Sequence, residues 1–311
     1  LQITGEYGPN LMSEVMRYAQ VGAAISQQYQ HDIIHCHDWL TILAGIYAKK
    51  ISKKPLIFHV HALEYDRSGE NINPRIFEIE KTGMIEADCI IAVSNYTKNI
   101  IMKRYLIPEE KIQVVHNAVL EQTVKNRKRK KRPFREHIVL FLGRITFQKG
   151  PDYFIEAAAH ILKKRKDILF VMAGKGDMTS SMIDRVAKLK IGRYFHFTGF
   201  LSADEVDNIF DYSDVYVMPS VSEPFGISPL EAMRHDVPVI ISKQSGVSEV
   251  LPSAMKVDFW DVHAMANQIL SLIDNKTLRN EVVSKCSKEI EALQWERAAE
   301  NVLKIYKSLS L

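Results

Sequence analysis

Glu223 and Glu231 stand at the two ends of E-P-F-G-I-S-P-L-E, on either side of what reads as a strand-to-helix turn. The preceding D-V-Y-V-M-P-S, Asp214 to Ser220, is a short apolar run rich in β-branched and aromatic residues and bounded by Pro219, the pattern of a buried parallel strand. Pro224 and Gly226 interrupt helix here, so Glu223 belongs in the loop at the strand's carboxyl end and Glu231 about one turn inside a helix that begins near Ile227. This spacing lets both carboxylates face one crevice. Between them, the free N–H groups of the helix start near Gly226 and Ile227 attract a phosphate through orphan donors and the helix dipole. The arrangement suggests a nucleotide-sugar site.

A second constellation is F-L-G-R-I-T-F-Q-K-G, in which a strand ends at Gly143 and a turn presents Arg144 and Lys149 ahead of a helix starting at Pro151. Negative charge grows on the diphosphate that departs when a sugar–phosphate bond breaks, and two fixed cations with helix amides stabilise that charge without a metal. Smaller signals agree. Gly174 and Gly176 in A-G-K-G-D end a strand; Gly199 and Phe200 in F-T-G-F-L end the next; Gly246 in Q-S-G-V-S-E-V opens a helix that offers further amides to phosphate or sugar.

The histidines form a third group. His35 and His37 in H-C-H-D-W-L-T invite a zinc reading together with Cys36, but alternation along a strand puts Cys36 on the opposite face, and no second cluster completes four ligands, so the expectation is no metal. Asp38 either caps the following helix or contacts an acceptor hydroxyl. In F-H-V-H-A-L-E-Y-D, His61 falls just past a strand end, while His59 shares its side of the strand but sits deeper, as a satisfied core histidine.

Positioning these residues requires alternating strands and helices. D-I-I-H-C, P-L-I-F-H-V, D-C-I-I-A-V and K-I-Q-V-V precede a basic run, K-N-R-K-R-K-K-R at Lys125 to Arg132; H-I-V-L-F-L-G, D-I-L-F-V-M-A-G, R-Y-F-H-F-T-G, V-Y-V-M-P and V-P-V-I-I-S follow it. This is βαβ periodicity, repeated on each side, and 311 residues accommodate about two such domains. Residues from Asp261 onward read as helices. The formal charge is +4, and the basic run alone contributes +7, so the remainder carries 4 − 7 = −3. Without interleaved aromatics the run reads as a solvated linker, and nucleic acid is disfavoured as a partner. Three scattered cysteines, Cys36, Cys89 and Cys286, indicate buried free thiols; no run is apolar enough for a transmembrane segment, and a cytoplasmic location is expected.

The Glu223–Glu231 segment with P-V-I-I-S and S-G-V-S-E-V-L after it resembles the donor-site signature of the retaining glycosyltransferases of family 4, which have the GT-B fold, and H-C-H-D-W is similar to a segment of bacterial glycogen and starch synthases within that wider family. The resemblance implies an α/β protein of two Rossmann-like parallel-sheet domains facing a cleft. It implies domains at residues 1–123 and 136–290, joined by a linker at 124–135, with a final helix within 291–311 crossing back to the first. It implies catalytic roles for His61, Arg144, Lys149 and Glu223: Glu223 beside the donor sugar, Arg144 and Lys149 on the diphosphate, and His61 bonded to a hydroxyl or carbonyl near the reacting carbon. Gly143, Gly174, Gly199, Phe225, Gly226, Ile227, Glu231 and Gly246 would bind the donor, Glu231 through the ribose. The expected reaction moves glucose from ADP- or UDP-glucose to a carbohydrate acceptor, an α-glucan first, by front-face attack with domain closure and no divalent ion or other cofactor.

Departures accompany the likeness. Only four strands precede the linker and the amino-terminal glycine-rich loop has no counterpart, so the first domain is expected to be incomplete: the sequence is either a fragment, or a shortened or split homologue, the last with a further chain supplying the missing part. His116-Asn117-Ala118-Val119 stands where the family has P-N-G-V, and Ser245 where it has a second glycine. Two alternatives remain open: a GT-B nucleotide-sugar epimerase, and a non-catalytic nucleotide-sugar-binding fragment or subunit.

Overall fold

A computed structural model describes residues 10–119 and 134–309. The basic run Lys125–Arg132, and the expected linker apart from its last two residues, lie outside the described residues. The chain divides into two compact units: residues 1–117 with 295–311, and residues 118–294.

In the first unit β1 (Ile34–His37), β2 (Leu56–Val60), β3 (Cys89–Ala92) and β4 (Ile112–Val114) form a parallel sheet in that spatial order. Side chains alternate across a pleated strand, and the two faces take different covers. Cys36, Phe58, Val60, Ile90 and Ala92 pack with Ile42 and Ile46 of helix Asp38–Ser52, Met84 of helix Pro74–Glu86, and Tyr105. Ile57, Cys89, Ile91 and Val115 point the other way, onto Ala298, Val302, Ile305, Tyr306 and Leu309. Those five positions recur at helical spacing on one side of helix Trp295–Leu309, so a segment distant in sequence closes the sheet's second face by its apolar stripe.

The second unit carries β5 (His137–Leu142), β6 (Ile168–Ala173), β7 (Phe195–Gly199), β8 (Val215–Met218), β9 (Val239–Ser242) and β10 (Met255–Val257), all parallel, in the order β10-β9-β8-β5-β6-β7. The chain winds outward from β5 to β7, returns to the middle and winds the other way from β8 to β10. That is the doubly wound order, whose topological switch point lies between β5 and β8. The central strands are near-continuous apolar runs because both faces are covered, with Ile138 to Phe141, Val215 to Met218 and Val239 to Ile241 all buried. β10 was not expected from the sequence. It is three residues long, two of them half-buried, too short to show a period, and is defined by pairing Met255 with Ile240.

All three cysteines are free and buried. Among the described residues no helix is long and apolar enough to cross a membrane.

Candidate active site

The carboxyl ends of β5 and β8 meet at the switch point, and the loops that leave them carry the two constellations read from the sequence. After β5 the chain turns through Gly143 and a short 3-10 segment, Phe147–Lys149, into helix Pro151–Ile161. At Gly150 the loops come together: φ is +62°, and a Cβ there would lie 2.2 Å from the Pro219 carbonyl oxygen, so a side chain would push the β5 and β8 loops apart. Val221 N–H donates to the Gln148 carbonyl across the same junction. This approach brings Lys149 Nζ to 2.5 Å from Glu223 Oε2, which also accepts from Ser220 Oγ at 3.0 Å. Glu223 is 6% exposed, and its charge is matched by a lysine that remains partly open to solvent. Arg144 is exposed, and its side chain makes no hydrogen bond or ion pair among the described residues.

Glu231 lies in the first turn of helix Ser228–Arg234 and is half-buried. Burial pushes its carboxyl above the ordinary range, Asp207 adds to the effect, and His235 and Arg234 oppose it. Glu223 and Glu231 both act on one phenol, that of Tyr216 on β8: burial raises its pKa, a 2.7 Å hydrogen bond with Ser228 Oγ opposes the rise, and the two carboxylates add to it. Phe225 is buried and Ile227 is exposed, so Phe225 supports this loop from beneath and its ring does not line an open surface. Gly226, at φ +101°, lies against Glu223 and Met218, where a Cβ would come within 3.1 Å of Glu223 Cγ.

The other glycines define a row of strand ends. Gly143 N–H donates to the Ala173 carbonyl and Gly174 N–H to Gly199, and a Cβ on Gly174 would lie 2.0 Å from the Gly143 carbonyl oxygen. The ends of β5, β6 and β7 therefore abut, with no room for a side chain on Gly174. Gly246 differs from expectation. Its N–H donates to the Glu223 carbonyl and Val247 N–H donates to Phe225, so these amides are occupied in holding the Glu223 loop and are not free for phosphate. The physical cause is a parallel bridge between Glu223 and Ser245 beyond the ends of β8 and β9.

In the first unit, His61 follows β2 as expected, but its surroundings were only partly foreseen. His37 pairs with His59 in the register of β1 on β2, and four rings from two H-x-H segments stack: His35 on His37 at 4.6 Å between centroids, His59 on His61 at 4.3 Å, and His37 on His61 at 5.1 Å. The two histidine pairs, read separately from the sequence, thus lie side by side. The signal was present as the H-x-H spacing on two successive strands, but adjacency of those strands came from sheet order. Burial first, then the neighbouring imidazoles, lower the pKa of His35 to about 4 and that of His59 to about 2. His61 is also lowered by burial, with Asp38 opposing.

Asp38 is not the cap of its helix. Its Oδ1 accepts from His61 N–H at 2.7 Å and Ala62 N–H at 3.2 Å; His37 is the N-cap residue, and Thr41 Oγ1, inside the helix, accepts from the His37 N–H and donates to its carbonyl. The loop after His61 is held further by buried charge: Glu80 accepts from Glu64 N–H and from Arg67 at 2.7 Å, and Tyr105 also donates to it.

Comparison with known proteins decides the family. The model for Glycosyl transferases group 1 matches residues 123–289, more than half of the chain, and that for Glycosyltransferase Family 4 matches residues 8–122. The chain is a group 1 glycosyltransferase. An uncharacterized glycosyltransferase of Methanocaldococcus jannaschii is 30% identical over 296 residues, covering 89% of this chain and 75% of that one. The alpha-maltose-1-phosphate synthase of Mycolicibacterium smegmatis is 29% identical, with 89% and 79% covered, and a glycogen synthase of Mycobacterium tuberculosis is 23% identical, with 90% and 69% covered. Among solved structures, sucrose-phosphate synthase from Thermosynechococcus elongatus superposes with a TM-score of 0.82 at 20% identity, over 99% of this chain and 82% of that one. HepE of Anabaena, in complex with UDP and glucose, gives 0.80 at 18% identity, over 98% and 84%. The architecture is that of the GT-B glycosyltransferases.

In this glycosyltransferase the structure brings Lys149, Glu223, Gly226 and Gly246 into direct contact or near it, and sets Gly143, Gly174 and Gly199 side by side. His61 belongs to the other unit. Sequence reasoning missed Asp38 as the holder of the His61 loop, and it missed Lys175, whose stem passes within 3.2 Å of a Cβ position on Gly199. The G-K-G spelling around Lys175 was the available signal for a third cation at the strand ends.

Proposed function

We propose that this glycosyltransferase moves glucose from a nucleoside diphosphate glucose to an acceptor hydroxyl with retention of configuration, an α-glucan being the first acceptor to test. The observation that carries the reading is the Lys149–Glu223 pair at the switch point of the second unit, where ligands of doubly wound sheets bind, with the unpaired Arg144 guanidinium on the same loop as Lys149. Lys149 and Arg144 would neutralise the diphosphate as it departs, with no divalent ion required for that step. Glu223 would bond the sugar, and Glu231 the ribose hydroxyls. Gly143, Gly174 and Gly199 would allow the donor to approach backbone closely, and Gly226 and Ile227 would border it. His61 would act as a neutral hydrogen-bonding group, a state that burial favours. The bond from the sugar's C1 to the phosphate oxygen breaks, the acceptor oxygen bonds C1 on the same face, and the acceptor's proton passes to the departing phosphate.

The alpha-maltose-1-phosphate synthase and glycogen synthase among the relatives support glucose and an α-glucan. The UDP and glucose of the HepE complex support the donor class. Three buried free thiols support a cytoplasmic location. The reading also keeps residues 1–123 and 136–290 as functional domains on either side of the 124–135 segment.

The test is to supply UDP-glucose or ADP-glucose with glycogen, follow nucleotide release, and determine the anomeric configuration of the product. An α-linked product is expected. A β-linked product rejects retention, epimerised sugar without acceptor identifies an epimerase, and donor binding without turnover identifies a binding subunit. Arg144→Ala should lower turnover by about 100-fold while changing donor affinity far less, as expected for a group that acts on charge developing in the transition state. Unchanged turnover would remove Arg144 from the mechanism.

A further inference from the structure

We propose that His35, His37 and His59 form a binding site for a borderline divalent transition-metal ion, of the class of Zn2+, Co2+, Ni2+ or Cu2+. One ring nitrogen from each of these three residues lies within 4.8 Å of the other two. His35 Nε2 and His59 Nδ1 are already 3.2 Å apart. Two imidazoles on a tetrahedral ion, at about 2.0–2.1 Å from the metal, hold their nitrogens about 3.4 Å apart, so this edge of the site needs almost no movement. His37, exposed at the end of β1, is the ligand with freedom to adjust.

One observation outside the triad supports an ion. His35 Nδ1 lies 2.6 Å from the Tyr306 hydroxyl. A ligating histidine characteristically uses its second nitrogen in such a bond, which fixes the ring's orientation and tautomer and leaves Nε2 available for the metal.

The donor set selects the ion class. Three neutral imidazoles suit zinc, cobalt, nickel or copper and not magnesium or calcium, which require oxygen. The nearby carboxylate of Asp38 is engaged with two backbone amides. His61 Nε2 lies 2.8 Å from His37 Nδ1 and is the side chain best placed to exchange between His37 and an ion. The alignment depends on β1 and β2 being neighbours with His37 level with His59, and Tyr306 connects the site to helix Trp295–Leu309.

The test uses the full chain without a histidine tag, freed of metal by a chelator and then titrated with Co2+ and with Zn2+. Expected are one ion per chain at micromolar concentration, visible Co2+ bands of a low-symmetry site, and displacement of Co2+ by Zn2+. His37→Ala alters an exposed ring and should weaken binding by about 100-fold, and Tyr306→Phe by about 10-fold, with circular dichroism unchanged. The double variant His160→Ala, His263→Ala removes the histidine pair of the other unit and should leave binding as it was. Absence of stoichiometric binding, or binding by His37→Ala as tight as by the unaltered chain, overturns the proposal. The readout is binding itself, so neither result depends on the sugar-transfer reading.

Discussion

The Lys149–Glu223 contact joins two loops of the second unit, and the proposed mechanism gives the same pair a second use. Glu223 is buried and Lys149 is its cationic partner, so removing the lysine alone strands a charge in a dry site. Lys149→Met is expected to cost about 3 kcal/mol in urea unfolding, and adding Glu223→Gln should recover part of that stability while restoring no activity. Recovery of turnover in the double variant would show that the pair is structural only. Glu231 leads to a pH prediction. A carboxyl whose pKa is raised by burial takes up its proton at higher pH than an ordinary glutamate, so the charge that the proposed mechanism uses on the ribose hydroxyls is lost as pH falls through that raised value. The donor KM should therefore rise on acidification before ordinary carboxylates titrate, and Glu231→Gln should show a high KM without that rise. A parallel pH dependence in the two proteins would exclude Glu231. Both glutamates were readable as residues from their spacing. The hold of Asp38 on the His61 loop was not, because its partners are the backbone amides of His61 and Ala62, and a backbone donor leaves no mark in sequence.

At the scale of elements, the end of β6 at Gly174 has no tolerance for a methyl group. Gly174 combines φ +133° with a Cβ position 2.0 Å from the Gly143 carbonyl oxygen, so Gly174→Ala forces both backbone strain and separation of β5 from β6. A loss of at least about 2 kcal/mol in unfolding free energy is expected. Gly192→Ala is the control: nothing lies within 4 Å of its Cβ position, and its change should stay within about 0.5 kcal/mol. Equal effects would mean that the packed strand ends are not what glycine serves. Nine of the ten strands among the described residues were legible because apolar runs such as Ile138 to Phe141 are long enough to declare burial. β10 was not, since Met255 to Val257 is a strand only through its partner Ile240. The amides of Gly246 and Val247 failed expectation for a related reason: a helix start frees its N–H groups only if no other segment takes them, and the Glu223 loop does.

On the scale of the whole molecule, helix Trp295–Leu309 completes a sheet whose last strand ends 295 − 114 = 181 residues earlier. Ile57, Cys89, Ile91 and Val115 have as their cover the apolar stripe of helix Trp295–Leu309. Val302→Asp places a charge against that face and should destabilise the first unit while sparing the second. Hydrogen exchange should report this as lost protection in β1 to β4 with β5 to β9 unchanged; uniform loss would show that the two units unfold as one. The stripe itself was visible as helical spacing, and the resemblance implied where the helix goes.

Local pattern determined which residues become strands, where glycines must end them, and which charged side chains fall at their carboxyl ends, because periodicity, turn chemistry and strand length are properties of neighbours in the chain. The joining of Lys149 to Glu223, the occupation of the Gly246 amide, the hold of Asp38 on the His61 loop and the gathering of four histidines were decided only by tertiary structure. Each of these is a contact between segments whose distance apart is set by sheet order and register, and sheet order is a choice among packings that no single segment encodes.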